Sequence, residues 1–357
     1  MNGPGSREAT KRGLLERLAD GPVICAEGFL FELERRGYLQ AGTFVPEVVL
    51  DHPDALAQVH RELVRAGSDV VEAFTYYGHR EKLRLIGKEH VLEPLNRQAL
   101  EIAHSVASEV DDEPPLVAGN LSNTNVYVPG DPEVTAEVRA MFEEQAGWAA
   151  EGGADLIIGE TFYHAGEAEL ALQAIRDTGL PAVITLAIPA EGRLLDDVEP
   201  EEACKRLEDA GAAVVGLNCF RGPATMLPLL RRIRAAVSGH VAALPVPYRT
   251  TDEHPTFFGL PDPDGDLVPE GRTFPLALEP FLCNRFEVTA FTEQAHALGI
   301  DYLGLCCGAG PHHVRAMAEA LGRRPPASRY SPDMSRHFAF GTDPSLAGSR
   351  AEVADRL

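Results

Sequence analysis

The chain reads as an α/β protein, a (β/α)8 barrel with a C-terminal extension. One recurring pattern carries this. A helical segment closes on Gly and a short apolar run follows, as in Ala66-Gly-Ser-Asp-Val-Val-Glu-Ala73, Gly152-Gly-Ala-Asp-Leu-Ile-Ile-Gly-Glu160, Ala210-Gly-Ala-Ala-Val-Val-Gly-Leu-Asn218 and Leu298-Gly-Ile-Asp-Tyr-Leu-Gly-Leu305. Gly just past a helix end supplies the left-handed cap that closes it. Apolar runs without strict alternation suit strands buried on both faces. The second observation is the count: eight such runs alternate with helical patterns, as a closed barrel requires. A doubly wound open sheet is the alternative, but no Gly-rich dinucleotide loop follows the first run.

In chain order the predicted strands are 22–27, 70–76, 115–121, 156–162, 182–188, 213–219, 241–247 and 302–308. Helical patterns lie between most of them: Asp54–Ala66, Arg80–Val106, Pro132–Glu151, Gly166–Asp177, Glu201–Ala210, Thr225–Val237 and Glu287–Leu298, with Pro311–Leu321 after the eighth strand. Two connections are long. Phe29–Asp51 follows strand 1, and Arg249–Pro280, which contains Leu260-Pro-Asp-Pro-Asp-Gly265, follows strand 7. Both fall on the side where barrel active sites form, so both are expected to act as lid or substrate loops. Residues 1–323 are expected to form the barrel, and 324–357 a tail that wraps it or serves oligomerisation.

Composition narrows the function. With 357 residues, 45% of them hydrophobic, the chain can bury a large core. A formal net charge of −22 argues against a nucleic-acid footprint, which needs a basic face. No run is apolar enough for a transmembrane helix, and Met1-Asn-Gly-Pro-Gly-Ser-Arg7 lacks the apolar stretch of a signal peptide. Six cysteines are too sparse for a disulfide scaffold, so reduced thiols and a cytoplasmic location are expected.

Three of those cysteines fall at matching strand ends. Cys219 ends Val214-Val-Gly-Leu-Asn-Cys219, and Cys306 and Cys307 end Tyr302-Leu-Gly-Leu-Cys-Cys-Gly308. In a barrel these ends line one narrow rim. Three thiolates there would make an open Zn2+ site with a fourth position free for substrate. Consecutive strand residues point to opposite faces, so both vicinal thiols reach one metal only if the strand breaks, which Gly308 permits. Cys25, Cys204 and Cys283 have no such partners and read as buried core thiols. Three thiolates on a divalent ion make a poor water activator. Their better use is to bind an incoming thiol as its thiolate, which points to S-alkylation of a small thiol. Glu160, a lone carboxylate closing an apolar strand, is a second candidate site residue.

The chain resembles the zinc-dependent homocysteine S-methyltransferases, and within them the betaine-using branch, over roughly residues 20–333. The resemblance rests on Gly28-Phe-Leu-Phe-Glu-Leu-Glu-Arg-Arg-Gly-Tyr38, Val59-His-Arg-Glu62, Arg65-Ala-Gly-Ser68, Phe74-Thr-Tyr-Tyr77, Gly216-Leu-Asn-Cys219, Gly304-Leu-Cys-Cys-Gly308 and Pro325-Pro-Ala-Ser328. It implies a (β/α)8 barrel that transfers a methyl group to homocysteine, giving methionine. It also implies Cys219, Cys306 and Cys307 as the zinc ligands, with Glu160 on the homocysteine amino group. Phe44 and Tyr77 match positions that contact the methyl donor, whose onium group suits aromatic faces. Asn218 would support the site. No catalytic residue beyond the zinc site and no organic cofactor are implied, and a homo-oligomer is.

The departures from that pattern are specific. Ala26 replaces the expected Asp after strand 1, and Glu27 is expected to supply the carboxylate from the next position. Phe44 replaces a Trp, a weaker face for a cation. Thr161 replaces the Tyr that caps zinc when substrate is absent, leaving water or Tyr163 for that role. The tail is shorter than the branch's dimerisation arm. Two other functions fit the same residues: the same transfer from a sulfonium donor such as S-methylmethionine or dimethylsulfoniopropionate, and a catalytically silent zinc-binding barrel acting as a regulator or scaffold.

Overall fold

Eight parallel strands close into a barrel in sequence order: β1 (Val23–Ala26), β2 (Val70–Glu72), β3 (Leu116–Ser122), β4 (Leu156–Phe162), β5 (Ala182–Leu186), β6 (Val214–Asn218), β7 (His240–Leu244) and β8 (Tyr302–Leu305). Closure is made by β8 beside β1, in register from Val23 with Tyr302 to Ala26 with Leu305. In this computed structural model the described residues are 11–262, 265, 268, 271–346 and 353–357. The predicted N-terminal run Met1–Arg7 and parts of the loop 249–280 and of the tail lie outside them.

The helices are α1 (Leu14–Asp20), α2 (Phe29–Arg35), α3 (Val48–Asp51), α4 (Pro53–Ala66), α5 (Arg80–Leu85), α6 (Leu92–Ala107), α7 (Pro132–Glu151), α8 (Ala165–Thr178), α9 (Pro200–Asp209), α10 (Pro223–Ala236), α11 (Arg285–Ala297) and α12 (Pro311–Ala320). Their ends follow local chemistry. The side chain of Asp131 accepts the N–H groups of Glu133 and Val134 at 3.0 and 3.1 Å, and Pro132 starts α7 where its missing N–H costs nothing. Leu56, Val59, His60, Leu63 and Ala66 give α4 one buried face, and Gly67 closes it at φ +119. Each fully buried leucine of that face contributes about 1.5–3 kcal/mol. None of the described helices is long and apolar enough to cross a membrane.

Three expectations about the elements change. The helix predicted over Arg80–Val106 is α5, a 3-10 turn at Glu89–Val91, and α6. Gly87 sits at φ +68, and a left-handed residue cannot continue a right-handed helix. The connection Phe29–Asp51 contains α2 and α3 rather than an open loop. Strands β2, β5, β7 and β8 stop before the predicted 76, 188, 247 and 308. After β2 the chain turns tightly, with Thr75 N–H on Ala73 O and Gly78 N–H on Thr75 O, both at 2.7 Å. That frees Tyr76 and Tyr77 from the sheet.

Two apolar shells hold the fold. The inner one contains Val23, Cys25, Val70, Leu116, Ala118, Leu156, Ile158, Val183, Val214, Ala242, Leu244 and Tyr302, closed by Leu14 and Leu18 of α1. The outer one joins the opposite strand faces to the helices. Because side chains alternate along a strand, the inner phase continues upward from Cys25 to Glu27, Val70 to Glu72, Ala118 to Asn120, Ile158 to Glu160, Gly216 to Asn218 and Gly304 to Cys306. The apolar interior therefore gives way to a polar layer at the C-terminal ends of the strands, where barrel active sites lie. At the other end the chain is held down just before the tail: Arg323 donates to Asp69 Oδ2 at 2.6 Å and to the Pro22 carbonyl.

Candidate active site

Three carboxylates lie in this layer, and all are buried: Glu27, Glu72 and Glu160. Two amides separate them. Asn120 Nδ2 donates to Glu72 Oε1 at 2.5 Å and to Glu160 Oε1 at 2.7 Å. Asn218 Nδ2 donates to Glu160 Oε2 at 2.6 Å, to Thr161 Oγ1 at 2.9 Å and to Glu27 Oε2 at 3.5 Å, while its Oδ1 accepts Thr161 N–H at 2.9 Å. Glu27 Oε1 and Glu72 Oε2 have no partner. Among the described residues no Lys, Arg or His pairs with any of the three. Burial, with the Cys306 sulfur nearby, pushes Glu160 up to about 8. Burial and then the Glu160 charge raise Glu27 and Glu72 well above the usual carboxylate range. The pit is short of positive charge.

The thiols sit beside it. Ligand atoms of Cys219, Cys306 and Cys307 all lie within 4.8 Å of one another, as do those of Glu27, Glu160 and Cys306. Cys306 Sγ and Cys307 Sγ are 3.8 Å apart. Backbone geometry brings them together. Next to inward-facing Asn218, strand alternation would send Cys219 outward, but Cys219 and Phe220 both adopt φ 51 and turn the chain back over the barrel mouth. After Leu305 the strand ends, Ala309 N–H closes a turn on Cys306 O at 3.2 Å, and Gly308 takes φ +94. Any Cβ at Gly308 would meet Tyr248 Oη at 2.2 Å, so this turn needs glycine. Hydrogen bonds from Cys219 and Cys306 hold the Cys307 thiol down at about 5, and the contacts of Cys219 with Cys306 and Cys307 push the Cys219 thiol up.

An aromatic rim surrounds the mouth. Tyr76 and Tyr77 pack at 4.4 Å, and Tyr77 N–H donates to Ser122 Oγ at 3.1 Å. Tyr163 stacks on Phe220 at 6.4 Å and accepts a hydrogen bond from Asn125 Nδ2 at 2.9 Å. Phe220 meets Phe258 at 4.9 Å, and Phe258, Phe257 and Phe31 carry the contacts on to Phe44, which stacks on Phe31 at 5.9 Å.

The predicted residues thus fall into two groups. Glu27, Glu160, Asn218, Cys219, Cys306 and Cys307 converge on one pit. Phe44 and Tyr77 lie in the rim, with no ring contact between them among the described residues. Cys25, read as a thiol without partners, has ligand atoms of Glu27 and Glu72 within 4.8 Å of its own. Glu72, Asn120 and Tyr76 were not expected. For the first two a signal existed: counting by twos from the inward residues of each strand reaches both.

Residues 23–321 match the family described as homocysteine S-methyltransferase. The chain is 39% identical to betaine–homocysteine S-methyltransferase 1 of Danio rerio, over 87% of this chain and 76% of the relative. It is 36% identical to the enzyme of the same name from Xenopus tropicalis, over 93% and 80%. It is also 35% identical to an S-methylmethionine–homocysteine S-methyltransferase of Pongo abelii, over 95% and 89%. Among solved structures, the metallated homocysteine methyltransferase MmuM of Escherichia coli shares the fold, with TM-score 0.67 and 17% identity over 85% of this chain and 99% of that one. With a family match over most of its length and relatives above a third identical, the chain belongs to the homocysteine S-methyltransferase family and is an S-methyltransferase.

Proposed function

We propose that the protein moves a methyl group from betaine, or a related quaternary ammonium donor, to the sulfur of homocysteine, giving methionine, with zinc held by Cys219, Cys306 and Cys307. The thiol cluster carries this reading. Two Zn–S bonds of about 2.3 Å at a tetrahedral angle span about 3.8 Å, and Cys306 Sγ and Cys307 Sγ are 3.8 Å apart. Three protein ligands would leave one position for a substrate sulfur. Bound there, zinc would supply the acidity that keeps an incoming thiol as its thiolate at neutral pH.

The chain's own residues account for the rest. Glu160 and Glu27 would take the homocysteine ammonium, whose charge relieves two buried carboxylates that lack a cation. Asn120 and Asn218 hold both oxygens of Glu160 in place for it. The substrate sulfur attacks the donor's methyl carbon. A sulfur–carbon bond forms as the carbon–nitrogen bond breaks, and the electron pair leaves with a neutral amine. The thiol proton has already gone to solvent, so no general acid is needed. Tyr76, Tyr77 and the other rings give the donor cation apolar faces and keep water from the line of attack.

A sulfonium donor is the second reading. It is favoured by Phe44 and by the relative named for S-methylmethionine. The test is a donor screen with purified protein and homocysteine, together with metal analysis. Absence of methionine from glycine betaine would remove the first choice. Methionine from none of glycine betaine, S-methylmethionine and dimethylsulfoniopropionate, with zinc bound, would leave the silent barrel. In the active protein, homocysteine should add a fourth sulfur to the zinc X-ray absorption spectrum. Glu27→Ala should raise the homocysteine KM, and unchanged kinetics would remove Glu27 from the site.

A further inference from the structure

The chain has four lysines, and three of them meet a carboxylate: Lys11 with Asp155 at 2.6 Å, Lys88 with Glu47, and Lys205 with Glu208 at 3.3 Å. Lys82 pairs with none among the described residues. Acidic residues outnumber Lys and Arg 54 to 32 here, so an unpaired ammonium is unexpected. The adjacent acid, Glu81, is taken by Arg84 through hydrogen bonds of 2.7 and 2.8 Å. Lys82 is half-buried, and its Nζ lies 3.9 Å from the centroid of the Tyr77 ring. The ring compensates only part of the lost hydration.

Tyr77 is a fixed platform. It sits at φ 58, bonded to Ser122, with Tyr76 against it and the edge of His79 at 5.9 Å. Through Ser122, the last residue of β3, Tyr77 is fixed to the same barrel mouth that holds the thiols. Lys82 therefore sets an unpaired ammonium against a ring of the rim, while the sulfurs mark where methyl transfer would take place. A donor that turns a cationic methyl-bearing end to the sulfur and carries an anionic far end would find its counter-charge in that ammonium.

We propose that Lys82 determines donor specificity by taking a carboxylate at the far end of the methyl donor, so that the donor class is an onium compound bearing a carboxylate. The proposal rests on the methyl-transfer reading above. A charge-assisted hydrogen bond of this kind corresponds to about 10- to 100-fold in donor affinity.

The experiment uses the full-length zinc-loaded protein, homocysteine, and whichever of glycine betaine, S-methylmethionine and dimethylsulfoniopropionate yields methionine, each compared with its methyl ester. The wild type should prefer the acid over the ester by about 10- to 100-fold in kcat/KM. Lys82→Met should raise the donor KM by a similar factor and lose that preference, with the homocysteine KM and zinc content unchanged. Lys82→Arg should restore most of both. Equal preference for acid over ester in wild type and Lys82→Met overturns the proposal while leaving methyl transfer intact. If Lys82→Met does not fold, the wild type alone decides, because indifference to esterification overturns the proposal equally. No methionine from the wild type with any donor overturns the methyl-transfer reading and this proposal with it.

Discussion

Replacing Glu72 by Gln should make the metal-free protein more stable. Glu72 is 1% exposed, and only one of its oxygens has a partner, Asn120 Nδ2 at 2.5 Å. A carboxylate oxygen of Glu27 lies within 4.8 Å, and Glu27 Oε1 is also unpartnered. The isosteric amide keeps the acceptor that Asn120 uses. It puts an N–H donor where Oε2 now has nothing, facing the Glu27 carboxylate. An unsatisfied buried oxygen costs about 1–3 kcal/mol, and the amide removes a group whose ionisation burial and the neighbouring Glu160 already oppose. For a chain of 357 residues that corresponds to a rise of about 1–4 °C in melting temperature.

The assay is thermal unfolding by circular dichroism at pH 7 after chelator treatment, at one scan rate for both proteins because large chains often unfold irreversibly. An unchanged or lower melting temperature would refute the reasoning, since it would mean the folded protein already compensates that carboxylate. Function supplies a control. The hydrogen-bond link from Glu72 to Glu160 runs through Asn120, so the homocysteine KM should move far less in Glu72→Gln than in Glu160→Gln.

Three other substitutions probe the same architecture. Cys219→Ala should lose zinc and activity while its far-ultraviolet spectrum stays that of a barrel, and full activity in that variant would remove the metal hypothesis. Gly308→Ala forces a Cβ against Tyr248 Oη at φ +94; it should lower stability by about 1–3 kcal/mol and weaken zinc retention, measured by competition with a chelating dye. His313 is held at about 4 against an ordinary 6.5, by burial first and then by His312, Arg285 and Arg35. Its Nδ1 accepts Gly310 N–H at 3.2 Å and its Nε2 faces Cys283 O at 2.9 Å, a neutral ring in both contacts. Between pH 6.5 and 4 the unfolded chain binds the proton that the folded one refuses, so stability is present above 6.5 and lost on acidification, by about 2 kcal/mol at pH 5. His313→Gln should flatten that part of the urea-midpoint curve relative to wild type, and parallel curves would contradict it.

The sequence made the barrel legible because both of its signals are local: a helix stops at a glycine, and an apolar run follows. It made the thiols legible because three of them ended such runs. It hid Glu72 and Asn120 for a physical reason. Strands buried on both faces carry apolar residues in both phases, so nothing in Val70-Val71 or Val117-Ala118 says which one points inward. Once one residue per strand is placed, counting by twos recovers the polar layer. The aromatic rim was less accessible still. Its members come from the loops after β1, β2, β4, β6 and β7, and no spacing relates them.

The backbone itself separates the two ends of the barrel. Where helices return to strands, the left-handed positions are glycines, as at Gly67, Gly153, Gly179, Gly211 and Gly299. There the chain takes the unstrained solution. The non-glycine residues described with positive φ are Phe44, Tyr77, Asn125, Thr161, Asp197, Cys219 and Phe220, and all lie at or beyond strand C-terminal ends. Each costs on the order of 1–3 kcal/mol, a cost that glycine would avoid. Glycine cannot serve there because the side chain is the purpose: a sulfur turned back over the pit at Cys219, a ring held against the Lys82 ammonium at Tyr77. The strain marks where this fold gives up stability to aim a side chain. Cys219→Gly should therefore relieve backbone strain and still lose the site, giving a metal-free barrel that melts no lower than the metal-free wild type.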